Sequence, residues 1–270
     1  FFPRSSKQSG AWMTSYREAG VTLQGEARRP HVSVTMNFSK PTSSRPSLLT
    51  FDELETFLHE FGHALHGIFA DTHYPTLSGT NVYWDFVELP SQFMENFALR
   101  PEFLQTFAHH YETGEAMPEA LVERIRRAHN FNVAYACIRQ VSFGLLDMAY
   151  YTRTEKLEED IRTFEREAWK SVQLMPSVPE TCMTVQFSHI MNGGYSAGYY
   201  SYKWAEVLDA DTFEAFLERG LFDRAVAADF RHKLLSRGGT VHPQQLYNDF
   251  RGHPATIDAL LKRDGILPRA

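Results

Sequence analysis

A chain of 270 residues that is 43% hydrophobic and 14% aromatic can bury a substantial core, which excludes wholesale disorder. A net charge of −6 with scattered Lys and Arg makes no electrostatic case for nucleic acid. No apolar run approaches the roughly 18 residues of a membrane span, and two cysteines, Cys137 and Cys182, are too few for a disulfide framework, so a reducing, cytoplasmic setting is the default.

The chain opens FFPRSSKQSGAWM, without an initiator Met, a basic start or an apolar stretch, and reads as a start in mid-protein. Its first thirty residues are polar and irregular. Residues 31–38 alternate, with Val32, Val34, Met36 and Phe38 on one side, which predicts a strand. A Pro, Ser and Thr loop follows over 39–50. Thr50 with Glu53 three residues on is a capping-box pattern, so a helix should start near 51, with Phe51, Leu54, Leu58, Phe61, Leu65 and Phe69 as its core face. A second helix should begin between Asp85 and Pro90 and run to about 99. Further helices are predicted near 101–112, 118–129, 131–152, 155–174, 196–218, 222–236, 243–251 and 254–263, with Gly238, Gly252 and Gly265 as stops. The fold class is mainly α, with a small β region before residue 40.

His59-Glu60-Phe61-Gly62-His63 is H-E-x-x-H. Histidines four apart on a helix lie one above the other, so both imidazoles can reach one ion. Neutral imidazole suits zinc, and Glu60 is close enough to take a proton from a water on the metal. Chance supplies so short a pattern in roughly a few of every hundred such chains. Here it falls inside an independently predicted helix, where burying two histidines and a glutamate without a metal would be costly. That outweighs the alternative of two surface histidines.

A catalytic zinc needs a third protein ligand and one open position. Asp71 and His73 follow too closely, whereas a returning second helix can present a carboxylate. Glu88 and Glu95 are seven apart, on one face. Either can be the ligand, and the other then steadies a ligating histidine from behind. His66, three residues after His63, is read as a satisfied structural histidine.

Residues 187–204 read FSHIMNGGYSAGYYSYKW. Tyr195, Tyr199 and Tyr202, spaced four and three, form one stripe on a helix, with Tyr200 off the stripe as packing. An aromatic stripe is usually core. Buried phenols nevertheless need partners, and amide hydrolysis needs donors aimed at an oxyanion, so the residues alone leave the choice open.

HEFGHALH, DFVELPSQ, SGTN, GAWM and the closing LLSRGGTVHPQQLYNDFRGHPATIDALL together resemble the thimet oligopeptidase family, closest to its bacterial peptidyl-dipeptidase branch. The likeness spans nearly the whole chain. It implies a multi-helix, zincin-like fold of which this is the C-terminal catalytic portion, with a zinc-binding part over 1–112 and a helical part carrying the tyrosine segment over 113–270. It implies one Zn2+ held by His59, His63 and Glu88, with Glu95 behind the ligands and Glu60 as general base. It places His189, Tyr195, Tyr199 and Tyr202 on the substrate and its tetrahedral intermediate, which gives His189, Tyr199 and Tyr202 catalytic roles and Tyr195 a substrate-binding one, and Gly193 and Gly194 are read beside them as a substrate-binding loop that closes on the peptide. Short unstructured peptides are the implied substrates and the N-terminal half of a parent protein the implied packing partner; neither nucleic acid nor membrane is expected. Release of C-terminal dipeptides is the expected reaction. Endo-acting cleavage on the same scaffold is its rival, and an inactive peptide-binding module is the alternative from another class, disfavoured because a binder has no need of Glu60.

Overall fold

The structure, a computed structural model, describes residues 1–268 and is mainly helical with a small β region near its N-terminus. By contact the chain divides into two units, residues 1–128 with 205–270, and residues 129–204. Among the described residues no helix is long and apolar enough to cross a membrane, and both cysteines are free.

The first unit opens with strands. β1 (Trp12–Arg17) pairs antiparallel with β4 (His31–Thr35), placing Met13 opposite Val34, while β2 (Gly20–Val21) and β3 (Ala27–Arg28) form a second short ribbon. The predicted strand is therefore present over its first five residues. Three strands, however, lie in the segment expected to be irregular. Trp12, Met13, Thr14 and Ser15 are all half-buried, so β1 carries no alternating pattern, and backbone pairing to β4 makes it a strand.

α1 (Phe51–Ile68) begins at a complete capping box: Thr50 accepts from the Glu53 amide, and Glu53 accepts from the Thr50 amide. The Glu53 carboxylate also accepts from the amide and hydroxyl of Ser39, tying the preceding loop to the helix start. The buried side of α1 differs in part from the expected stripe. Leu58 is buried, but Phe61 is 37% exposed, stacked on Phe57, and Gly62, Ala64, His66 and Gly67 are buried instead.

α2 (Leu89–Glu95) carries Pro90 in its first turn and continues as a 3-10 turn to Leu99. α3 (Pro101–Leu104) stops eight residues before its expected end. The chain instead folds into a tight turn, with the His110 amide donating to Glu115, Met117 to Ala108, and Gly114 at φ 73°. After α4 (Glu119–His129) the second unit holds α5 (Val133–Tyr151), α6 (Ile161–Trp169) and the short α7 (Ser188–Met191). α6 starts six residues later than expected because Asp160 caps it, accepting from the amides of Arg162 and Thr163. The remaining helices are α8 (Ser201–Arg219), whose first turn belongs to the second unit, α9 (Arg224–Asp229), which continues as a π turn to Leu234, α10 (Pro243–Arg251) and α11 (Asp258–Arg263).

The core of the first unit centres on Phe93 of α2, whose ring lies 4.4 Å from Phe230 and 4.9 Å from Phe216. Leu58 of α1 and Leu246 of α10 join the same cluster, so α2 is fixed by apolar packing along its length. The second unit packs Phe143, Leu146, Phe164, Phe187, Ile190 and Tyr199 together.

Candidate metal centre

His59 and His63 stand one turn apart on α1, with ring centroids 5.0 Å from each other. Glu88 is the residue that leads into α2, and its side chain caps nothing there. It turns instead toward α1, where its Oε2 lies 3.3 Å from His59 Nε2 and 3.1 Å from His63 Nε2. One ligand atom from each of the three residues lies within 4.8 Å of the others. Glu95, one helix length on, meets the opposite nitrogen: its Oε1 is 2.6 Å from His59 Nδ1.

The close approach of α1 and α2 depends on Gly62 inside the motif. A Cβ there would sit 2.3 Å from the Pro90 carbonyl oxygen and 2.6 Å from Ser91 Cα, inside backbone that cannot swing aside. The second variable position of H-E-x-x-H thus carries a packing requirement that the metal pattern alone does not state.

Electrostatics follow from burial and from these contacts. Burial works against the charged imidazole of His59, but the carboxylates of Glu88 and Glu95 on its two nitrogens overrule it and raise it to about 10. Burial likewise opposes ionised Glu88, yet its hydrogen bonds to His59 and His63 hold it well below the usual carboxylate range. Glu60, only 8% exposed, is pushed up by burial against the pull of the two histidines. The Met13 amide of β1 donates to its carboxylate, which gives the unpredicted strand a place beside the motif.

Ser91 was not singled out in the sequence. Its buried hydroxyl donates to Glu88 Oε2 at 2.8 Å and lies 2.9 Å from the Glu88 carbonyl oxygen. The readable signal was a serine three residues after the candidate ligand, at a helix start. His66, expected to be a satisfied structural histidine, is fully buried but not satisfied: neither ring nitrogen has a hydrogen-bond partner among the described residues. Burial, then the nearby His63, push its imidazole down to about 3.

Two imidazole nitrogens and one carboxylate oxygen, with a further carboxylate on the back of one imidazole, fit a divalent zinc ion. Three such ligands would leave one coordination position open, and the outer carboxylate would fix the orientation of the His59 ring.

The second unit gathers the other predicted residues by a different route from the one expected. Tyr195 and Tyr199 lie in turns before α8, and only Tyr202 is on the helix, so there is no helical stripe. Their rings cluster all the same. Tyr195 stacks on Tyr202 at 5.1 Å, Tyr199 is 5.2 Å from Tyr202, and His189 of α7 lies 5.7 Å from both Tyr195 and Tyr199. Tyr199 is buried, its phenol pushed up by burial against a hydrogen bond with Gln140. Tyr200, expected to pack, is 47% exposed. Gly193 lies so close to α7 that a Cβ would meet His189 Cα and O at 2.9 Å, and Gly194 has φ 87°.

Comparison with known proteins gives a consistent result. A family model described as Peptidase family M3 matches residues 1–266. The dipeptidyl carboxypeptidase of Salmonella typhimurium and the oligopeptidase A of Escherichia coli are each 40% identical over 268 residues, which is 98% of this chain and 39% of each relative. A probable cytosolic oligopeptidase A of Arabidopsis thaliana is 38% identical over 272 residues, 97% of this chain and again 39% of the relative. The chain thus spans about two fifths of the length of the relatives it matches. On a match along nearly its whole length, the chain belongs to peptidase family M3.

Proposed function

We propose that the protein is a zinc-dependent peptidase acting on short unstructured peptides, with release of C-terminal dipeptides as its main reaction. The observation that carries this reading is the convergence of His59 Nε2, His63 Nε2 and the Glu88 carboxylate within 4.8 Å, beside a buried Glu60. The chain is then the catalytic region, and the greater length of the relatives supports a further part of the protein packing on it.

A zinc ion bound by this set supplies Lewis acidity to the scissile carbonyl and to the attacking water. Glu60 takes the water's proton and delivers it to the leaving amine; burial, by raising its proton affinity, suits it to both tasks. Glu95 holds His59 in the orientation that presents Nε2, and Ser91 holds Glu88. The family resemblance gives His189, Tyr199 and Tyr202 the role of donors to the oxyanion, with Tyr195, Gly193 and Gly194 on the substrate.

A relative named dipeptidyl carboxypeptidase and one named oligopeptidase A are equally similar to this chain, which supports endo-acting cleavage as a second reading. Mass spectrometry of the products from a peptide of about ten residues, once with a free and once with an amidated C-terminus, separates the two. Loss of a dipeptide from the free form alone supports the first reading. Internal cuts in both forms support the second, and zinc binding without any cleavage would leave only a peptide-binding module.

A further inference from the structure

The segment between α7 and α8 is stitched to its surroundings at both ends. On one side the Tyr195 amide donates to the His189 carbonyl at 3.0 Å, and the Ser196 hydroxyl donates to the Ile190 carbonyl at 2.8 Å. On the other side the anchor is a side chain. Asp147 of α5 is fully buried, and its two oxygens accept one backbone amide each: Oδ1 from Ala197 and Oδ2 from Tyr199, both at 2.9 Å.

Between those bonds Ala197 holds φ at 55°, the one residue other than glycine with positive φ among the described residues. An L residue with a Cβ avoids this region, so the surroundings must hold it there. The conformation also has a consequence. Tyr195, on the near side of Ala197, and Tyr199 and Tyr202, on the far side, bring their rings together around His189 although no helix spans them.

We propose that Asp147 is a positioning residue, whose buried carboxylate locks the Ala197 turn and so sets where the Tyr195, Tyr199 and Tyr202 hydroxyls stand. A carboxylate suits the task because it offers acceptors at both ends and no donor. An amide offers one acceptor and turns an N–H against the second backbone N–H. Complete burial of the carboxylate keeps water from substituting for the lost bond. The proposal rests on the reading that this tyrosine segment acts in catalysis.

The test uses the intact zinc-loaded protein and four variants. Asp147→Asn should lower kcat about a hundredfold, the scale of a displaced catalytic group, with zinc content and KM little changed and faster hydrogen exchange at the Ala197 and Tyr199 amides. Because a core variant can fail to fold, Ala197→Val and Ala197→Gly probe the same lock from an exposed position. Valine cannot stay in the left-handed region and should lower kcat, whereas glycine can and should keep it. Tyr202→Phe reports on the underlying reading. If Tyr202→Phe loses kcat while Asp147→Asn keeps it, or if the valine variant is as active as the glycine variant, Asp147 does not position the segment. Full kcat in Tyr202→Phe removes the reading itself, and the proposal with it.

Discussion

Glu88 and Glu95 both reach the histidines of α1, but on different nitrogens, and this separates their roles. Glu88 shares the side on which His59 Nε2 and His63 Nε2 converge, whereas Glu95 meets His59 at Nδ1. Glu88→Ala should therefore release zinc, while Glu95→Ala should weaken it about 10–100-fold, the usual result of removing a partner behind a ligand. Zinc titration of the two variants checks the assignment; the reverse order would exchange the roles. His66 gives a second expectation at this scale. Its imidazole sits at about 3 in the folded chain against an ordinary 6.5. Between those values the unfolded chain takes up a proton that the folded chain refuses. Stability is thus full above about pH 6.5 and is lost as pH falls toward 3. Since neither nitrogen has a protein partner, His66→Leu gives up no protein hydrogen bond, and its stability should lie within about 1–2 kcal/mol of the parent at pH 7. At pH 4 the variant should be the more stable of the two. Melting curves for both across that range decide it, and parallel curves would contradict the account.

At the scale of elements, the contact between α1 and α2 is what brings Glu88 to the two histidines of α1. Gly62→Ala drives a methyl group into the Pro90 and Ser91 backbone, so α2 must move and take Glu88 with it. The expected cost is about 1–3 kcal/mol of stability, together with at least a tenfold loss of zinc affinity by titration, near the low end of the range for a disturbed ligand shell. An unaffected zinc affinity would mean that the helices adjust without disturbing Glu88. These elements also show what was legible beforehand. The α1 start could be read because Thr50 and Glu53 are local, and the two histidines because a helix sets their spacing. β1 could not, since pairing with β4 is a non-local contact and its side chains are half-buried on both faces. The tyrosines met by turn geometry through a residue in an unfavoured conformation, and four-and-three spacing in sequence does not distinguish that from a helix. The helix expected over 101–112 ends at Leu104 because backbone bonds from His110 to Glu115 and from Met117 to Ala108 close a turn there, and no helix-period pattern in the sequence marks that point.

At the scale of the whole molecule one unit carries the His59, His63 and Glu88 group on α1 and α2, and the other carries His189 and the tyrosines. We infer that the first of these is a hydrolytic centre with Glu60 as its base. Glu60 belongs to no ligand set, so its carboxylate can be changed while the metal stays. Glu60→Gln keeps the size and polarity of the side chain and removes only its ability to accept and return a proton. The decisive measurement is zinc content and kcat on that one variant. Close to one zinc per chain is expected, with kcat lowered at least about a hundredfold, whereas near-normal turnover with zinc in place would mean that Glu60 is not the base.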